Sequence, residues 1–418
     1  MFKLFWFTLI VFVLRATKIH FFLNTTKFNS FFVPLWHEKQ LIMKKTLLFY
    51  AIIFLLLGSC GRRNQHSNEA DQGREIKLAY AQNLRMTDYD DYTRVDLLNP
   101  WKKGDTLHTY YLINKDSTPP RGNGTVIHTP LQRVVVFTTA HANLLEWLGT
   151  GRGIAGVADA KYMLIPDVQQ RLGKSTASQG IVDCGDAMNP NVERIVEAQA
   201  DAIWLSPFEN SGGYGALEKT GIPIIECADY METSALGRAE WMRFYGRLVG
   251  RGAQADSLFA VVEHEYRRLS ALAKKSKEQK SILPERMTGS VWYLPGGQST
   301  MGRLYQDAHI GYAFADDDHS GSLALPFETV LDKAGRADIW LMSYNGRMNK
   351  NALKAEFAGY QQLQPWKTGQ IYGCAVDQKP YFEEVSWRPD WLLRDLLVIF
   401  HPNLRPTLGS KLRYYQAI

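Results

Sequence analysis

Ser234–Lys275, SALGRAEWMRFYGRLVGRGAQADSLFAVVEHEYRRLSALAKK, decides the reading of this chain. Trp241, Phe244, Tyr245 and Leu248 recur at i, i+3, i+4 and i+7, so four large apolar side chains share one helical face. Gly250-Arg251-Gly252 interrupts the pattern, and a second stripe follows through Leu258, Phe259, Val262, Tyr266, Leu269 and Leu272. At ~1.5 Å per residue, a second helix of ~20 residues spans ~30 Å, the width of a small domain. The stretch is expected to act as a strut.

The segments on either side of this strut resemble each other. Before it stands NVERIVEAQADAIWLS, Asn191 to Ser206; after it stands PFETVLDKAGRADIWLMS, Pro326 to Ser343. In each, a Glu (Glu193, Glu328) opens an amphipathic helix, an Asp follows, and an Ile-Trp-Leu strand ends at Ser. The chain therefore reads as two α/β lobes joined by a helix. Strands alternating with helices imply parallel sheets covered on both faces. Buried-strand runs are expected at 133–137, 203–205 and 222–225 in the first lobe, and at 290–294, 339–342 and 370–374 in the second. Between residues 76 and 130, short strands at 77–80, 93–98, 106–113 and 125–128, with Asn99-Pro100 and Pro119-Pro120 as breakers, predict β-hairpins packed on the first lobe.

At the N-terminus, Met43-Lys44-Lys45, the apolar run Leu47–Leu57 and Leu57-Gly58-Ser59-Cys60 resemble a bacterial lipoprotein signal, with Cys60 as the lipidated residue. Residues 1–42 are then an extension ahead of the true start. The alternative is a membrane anchor that includes residues 1–16. Residues 61–75 are polar and small, as a tether is. The domains expected are thus 43–60 signal, 61–75 tether, 76–130 hairpins, 131–233 N-terminal lobe, 234–280 bridging helices and 281–418 C-terminal lobe. Of 48 Lys and Arg and 42 Asp and Glu, residues 1–59 hold seven and one, which leaves 41 against 41. A neutral mature chain gives no electrostatic case for nucleic acid binding. Cys184, Cys227 and Cys374 have no paired spacing for structural zinc.

GRAEWMRFYGRLVG with ADSLFAVVEHEYRRL, then VWYLPGGQSTMGRLYQDA, GSLALPFETVL and RPDWLLRDLLVIFHPNL, resemble the helical-backbone (class III) substrate-binding proteins of ABC importers for iron chelates, haem and vitamin B12. The resemblance runs from about Ile76 to the C-terminus. It implies two Rossmann-like lobes with a ligand cleft between them, a bridging helix that limits closure, and delivery to ABC permease and ATPase subunits. It also implies no enzymatic chemistry and no cofactor. A lipid-anchored location in the periplasm or cell envelope is expected. In the family, one surface Glu per lobe docks on the permease, and the matching positions are Glu193 and Glu328. Each is also favourable simply as a carboxylate at a helix N-terminus.

Ligands of parallel sheets sit off the strand carboxyl ends. The candidates there are His141, Tyr162, Tyr214, Tyr293, Tyr344 and Trp387, whose aromatic faces can stack on a large planar or macrocyclic solute, with Arg303 and Arg388 to neutralise carboxylates or a catecholate. His141 reads equally as a hydrogen-bonded structural residue, and either Arg as a solvent-facing one. Asp316-Asp317-Asp318-His319 reads as a solvated turn before a metal site. An enzyme finds no support, since there is no G-x-S-x-G elbow and no P-loop lysine. A non-transport envelope lipoprotein that scavenges a ligand such as haem is the other class; it needs the anchor and cleft but not Glu193 or Glu328.

Overall fold

The computed structural model describes residues 73–174, 179–209 and 213–418. The expected extension, the signal with Cys60 and most of the tether lie outside the described residues.

The chain opens with a five-stranded sheet, β1 Arg74–Ile76, β2 Leu84–Asp88, β3 Tyr92–Leu98, β4 Thr106–Asn114 and β5 Thr125–Thr129, in that spatial order. It departs from the expected hairpins in two ways. The pair β4 and β5 is parallel. Residues 77–80 are also not a strand, because their neighbourhood supplies a different partner: the backbone N–H groups of Ala79, Tyr80 and Ala81 donate to the Glu240 carboxylate at 2.9, 2.8 and 2.9 Å. Gln82 and Asn83 donate likewise to Glu232 at 2.9 and 2.8 Å. Both acids are buried, and five backbone donors are satisfied by side chains instead of a ladder.

The first parallel sheet has the order β12-β11-β6-β7-β8, with β6 Val134–Val136, β7 Ile154–Val157, β8 Val182–Asp183, β11 Ala202–Leu205 and β12 Ile224–Glu226. A small hairpin, β9 Gly185–Asp186 with β10 Asn189–Pro190, stands beside it, and the helices α1 Thr139–Trp147 and α2 Val192–Glu197 belong to this half. Val134 and Val136 face the main apolar core while Val135 faces a second cluster with Ile195, Ile203 and Leu205, the period-two consequence of a sheet buried on both faces.

The strut follows as α3 Ala235–Glu240, α4 Met242–Leu248 and α5 Gly252–Lys275. The first expected helix is thus two, since Trp241 N–H bonds the Arg238 carbonyl three residues back and tightens the turn. Trp241, Phe244, Tyr245 and Leu248 are all fully buried. Along the 24 residues of α5 the buried stripe is Ala255, Phe259, Val262, Tyr266, Leu269 and Ala273, alternating steps of four and three; Leu258 and Leu272 are only partly covered.

The second parallel sheet has the order β16-β13-β18-β19-β20: β13 Ser281–Pro284, β16 Gly311–Tyr312, β18 Ile339–Tyr344, β19 Ile371–Ala375 and an antiparallel edge, β20 Gln416–Ala417. The run expected at 290–294 is not part of it. It forms β15 Val291–Pro295 in a separate antiparallel sheet with β14 Met287–Thr288 and β17 Ser322–Leu325. Helices α6 Thr300–Asp307, α7 Phe327–Ala334, α8 Tyr381–Glu384 and α9 Pro389–Phe400 are among those of this half.

The two repeated segments do equivalent work. Strands β11 and β18 are each flanked on both sides, and the Asp before each ties down the start of the neighbouring strand. Asp201 accepts from Gln132 and Arg133 N–H at 2.7 and 2.9 Å; Asp338 accepts from Ser281 N–H at 2.7 Å. One apolar core runs through both halves, from Val136 and Trp204 through Phe259 and Tyr266 to Trp292 and Trp340.

Candidate functional site

Three strands of the first sheet deliver their carboxyl ends to one cavity. Phe137 and Thr138 follow β6, Asp159 follows β7, and Leu205, Ser206 and Phe208 come from the end of β11. The β9–β10 hairpin brings Met188 and Asn189 over it, and Tyr214 and Leu217 close the other side. The cavity holds about 640 Å³ and its walls are mainly apolar. Met188 and Phe208 are 73% and 49% exposed, so large apolar surface stands at the mouth. The polar groups are few: Thr138, Asp159, Asn189 and Ser206. An apolar concavity with a small number of polar contacts at strand carboxyl ends is the geometry of a small-molecule site.

Of the sequence candidates, the structure brings Tyr214 to this cavity. Its hydroxyl donates to Glu226 at 2.6 Å; burial first, and then that carboxylate, push the hydroxyl well above the usual tyrosine range. Tyr162 is 65% exposed, with the Lys161 ammonium 4.7 Å from its ring centre.

His141 is instead buried in the first turn of α1. Its Nε2 meets Asp229 at 3.0 Å and its Nδ1 meets the Thr138 hydroxyl. Asp229 is fully buried and also accepts from Tyr245 at 2.8 Å and Arg238 at 3.1 Å. Burial alone would raise this carboxyl, but His141, Arg238 and Tyr245 outweigh it and hold the group at about 2. Trp387 is likewise fully buried, its ring 5.5 Å from His141 and its indole N–H donating to the Ala140 carbonyl at 2.7 Å. These two candidates are thus together, in packing where the two halves meet. At the same junction Glu383 accepts from the Thr139 hydroxyl at 2.7 Å and from Leu164 N–H at 3.0 Å.

The remaining candidates are dispersed. Tyr344 ends β18, buried, with its hydroxyl accepting from Gln416 at 2.7 Å. Tyr293 sits mid-strand in β15 opposite Ala324, 47% exposed, not in a strand-end loop. Arg303 donates to Gln298 at 2.9 Å. Arg388 forms a two-pronged pair with buried Asp390 at 2.9 and 2.6 Å and lies 3.8 Å over the Trp391 ring. Asp317 accepts from both the backbone and the ring of His319, closing the Asp-rich turn on itself. Among the described residues no group of three or more His, Cys, Asp or Glu is placed to hold a metal ion.

Two sets of residues escaped the sequence reading. Met188 and Asn189 reach the cavity through a hairpin whose only signal is the Gly185, Asn189 and Pro190 turn chemistry. The acids Glu226, Asp229 and Glu232 stand three residues apart just before the strut, a pattern that gives no hint of burial. Glu193 and Glu328 are both exposed, each in the first turn of its helix, α2 and α7.

The family model described as periplasmic binding protein matches residues 134–377. An uncharacterized lipoprotein of Methanocaldococcus jannaschii is 26% identical over 354 residues, 78% of this chain and 82% of that one. Among solved structures, a periplasmic heme-binding protein from Pseudomonas aeruginosa superposes with a TM-score of 0.52 at 13% identity, over 65% of this chain and 93% of that one. An ABC-type Fe3+-hydroxamate transport protein from Saccharomonospora viridis gives 0.50 at 16% identity, over 65% and 94%.

Proposed function

The chain belongs to the periplasmic binding protein family, and from that premise we propose that it is the substrate-binding lipoprotein of an ABC importer for a bulky metal complex. The observation that carries this reading is the cavity of about 640 Å³ at the strand carboxyl ends, walled by Phe137, Met188, Phe208 and Tyr214. Walls of this kind suit a solute that presents a large apolar or aromatic surface, as a metal macrocycle or wrapped chelate does. The solute is held and released unchanged. The haem and ferric hydroxamate named for proteins of the same fold, together with cobalamin, define the probes. Native mass spectrometry and absorbance titration of residues 61–418 with haem, cobalamin and a ferric hydroxamate are expected to give a one-to-one complex with one class. Silence across all three would remove the metal-complex reading.

Lipidation at Cys60 would tether the protein in the cell envelope, and the lipoprotein relative supports that assignment. Delivery rests on Glu193 and Glu328. They occupy equivalent exposed positions before β11 and β18, so their carboxylates suit a partner of two-fold symmetry. Glu193→Lys and Glu328→Lys are each expected to lower uptake about tenfold, the effect of losing one interfacial charge pair, with solute affinity unchanged. Uptake at the wild-type rate in the double variant would favour the scavenging lipoprotein instead.

A further inference from the structure

The Tyr214 wall of the cavity is tied to a sheet outside the matched segment 134–377. Glu226, at the end of β12, is 8% exposed; its Oε1 accepts from the Tyr214 hydroxyl at 2.6 Å. Its other oxygen, Oε2, is buried without a hydrogen-bond partner and lies 3.5 Å from His108 Nδ1. His108 belongs to β4 of the N-terminal sheet. Its Nε2 is bonded to the Thr125 hydroxyl at 2.7 Å, and its ring stacks on Tyr110 at 4.3 Å. Tyr110 is fully buried and clamps β12 from the same side, donating to the Ile224 carbonyl at 3.0 Å and accepting from Glu226 N–H at 2.9 Å.

A hydroxyl bonded to a buried carboxylate is a strong, short contact that pins the outer end of the ring. Met188 and Phe208, by contrast, stand exposed at the mouth. We propose that Glu226 and His108 are positioning residues that hold the Tyr214 ring as the rigid wall of the solute cavity, so that the N-terminal sheet helps set which solute fits. This rests on the reading of the cavity as the solute site.

The test uses residues 61–418 carrying 3-fluorotyrosine at position 214. The wild type is expected to give one narrow fluorine resonance. Glu226→Ala and His108→Ala are expected to shift or broaden it, while Glu226→Gln, which keeps an acceptor for the hydroxyl, restores it. His108 is partly exposed, so its variant retains the fold even where Glu226→Ala does not. In parallel, titration with haem, cobalamin and a ferric hydroxamate is expected to lose about five- to tenfold in affinity for the preferred probe in Glu226→Ala, the worth of its one net hydrogen bond to the Tyr214 hydroxyl, and a smaller part of that in His108→Ala. An unchanged resonance in His108→Ala and in Glu226→Ala overturns the positioning role. A changed resonance with unchanged affinity and selectivity overturns its bearing on the solute. If the wild type binds none of the three probes, the metal-complex reading fails, and the resonance still decides the positioning.

Discussion

Trp387→Ala is expected to cost about 3–5 kcal/mol of stability, among the largest effects of any single truncation in a packed core. Trp387 comes from the second half, is fully buried, and packs against residues of the first half and of α4. Its ring lies 5.5 Å from His141 and 5.6 Å from Tyr245, and its indole N–H is the donor to Ala140 at 2.7 Å. Truncation leaves a cavity at the junction and takes the indole donor from the Ala140 carbonyl. Collapse is opposed on both sides, because Glu383 holds the neighbouring helix to Thr139 and Leu164. Trp387→Phe keeps most of the ring and should recover more than half of the loss. Urea unfolding of residues 61–418, with the slope compared as well as the midpoint, measures both. A loss below about 1 kcal/mol for Trp387→Ala would mean that the junction repacks freely and that this contact does not hold the halves together.

Asp229→Ala is expected to cost a similar amount, about 3–5 kcal/mol, by a different route. Removing this carboxylate leaves the His141 ring and the Tyr245 hydroxyl buried without their partner and Arg238 with no counter-charge. The cost is mainly the desolvation of what remains. The same group predicts a pH dependence. Its carboxyl is held at about 2 in the folded protein against an ordinary value of 3.8. A depressed carboxylate contributes stability that is present above the unfolded value and is lost as pH falls through the folded one. The window is therefore between about pH 4 and pH 2, and the contribution is about 2 kcal/mol. Unfolding free energies measured at pH 5 and pH 2.5 should fall more steeply for the wild type than for Asp229→Asn. Parallel slopes would show that other carboxylates account for the acid sensitivity.

Local pattern made much of the fold legible. The apolar spacing of Trp241, Phe244, Tyr245 and Leu248 is that of the face they bury, and the stripe on α5 differs from the expected one only where Ala255 and Ala273 replace Leu258 and Leu272. The repeated Glu, Asp and Ile-Trp-Leu marked two strands that occupy matching places in two parallel sheets. The Asp in each repeat has a job that spacing alone did not disclose, since its partners Gln132 and Ser281 lie 69 and 57 residues away. The misplaced strand at 77–80 has the same origin. Its backbone donors are satisfied by Glu240, 159 to 161 residues later, and local propensity carries no information about that.

The site divides along the same line. Periodicity and turn chemistry place strand ends, and strand ends place Thr138, Ser206 and Tyr214 at the carboxyl end of the sheet, because a parallel sheet has its loops after the strands on one end. The amino-acid sequence by itself thus determined the two α/β halves, the helical strut and the end of the first sheet at which the cavity lies. Only the tertiary structure decided which aromatic residues face the cavity and which are packing. His141 and Trp387 are polar-tipped rings suited to either role, and each is withdrawn from solvent by a partner far along the chain: Asp229, 88 residues away, and Ala140, 247 residues away. Burial is a property of what packs against a residue, and for these side chains that is chosen by contacts between halves, which no local period encodes.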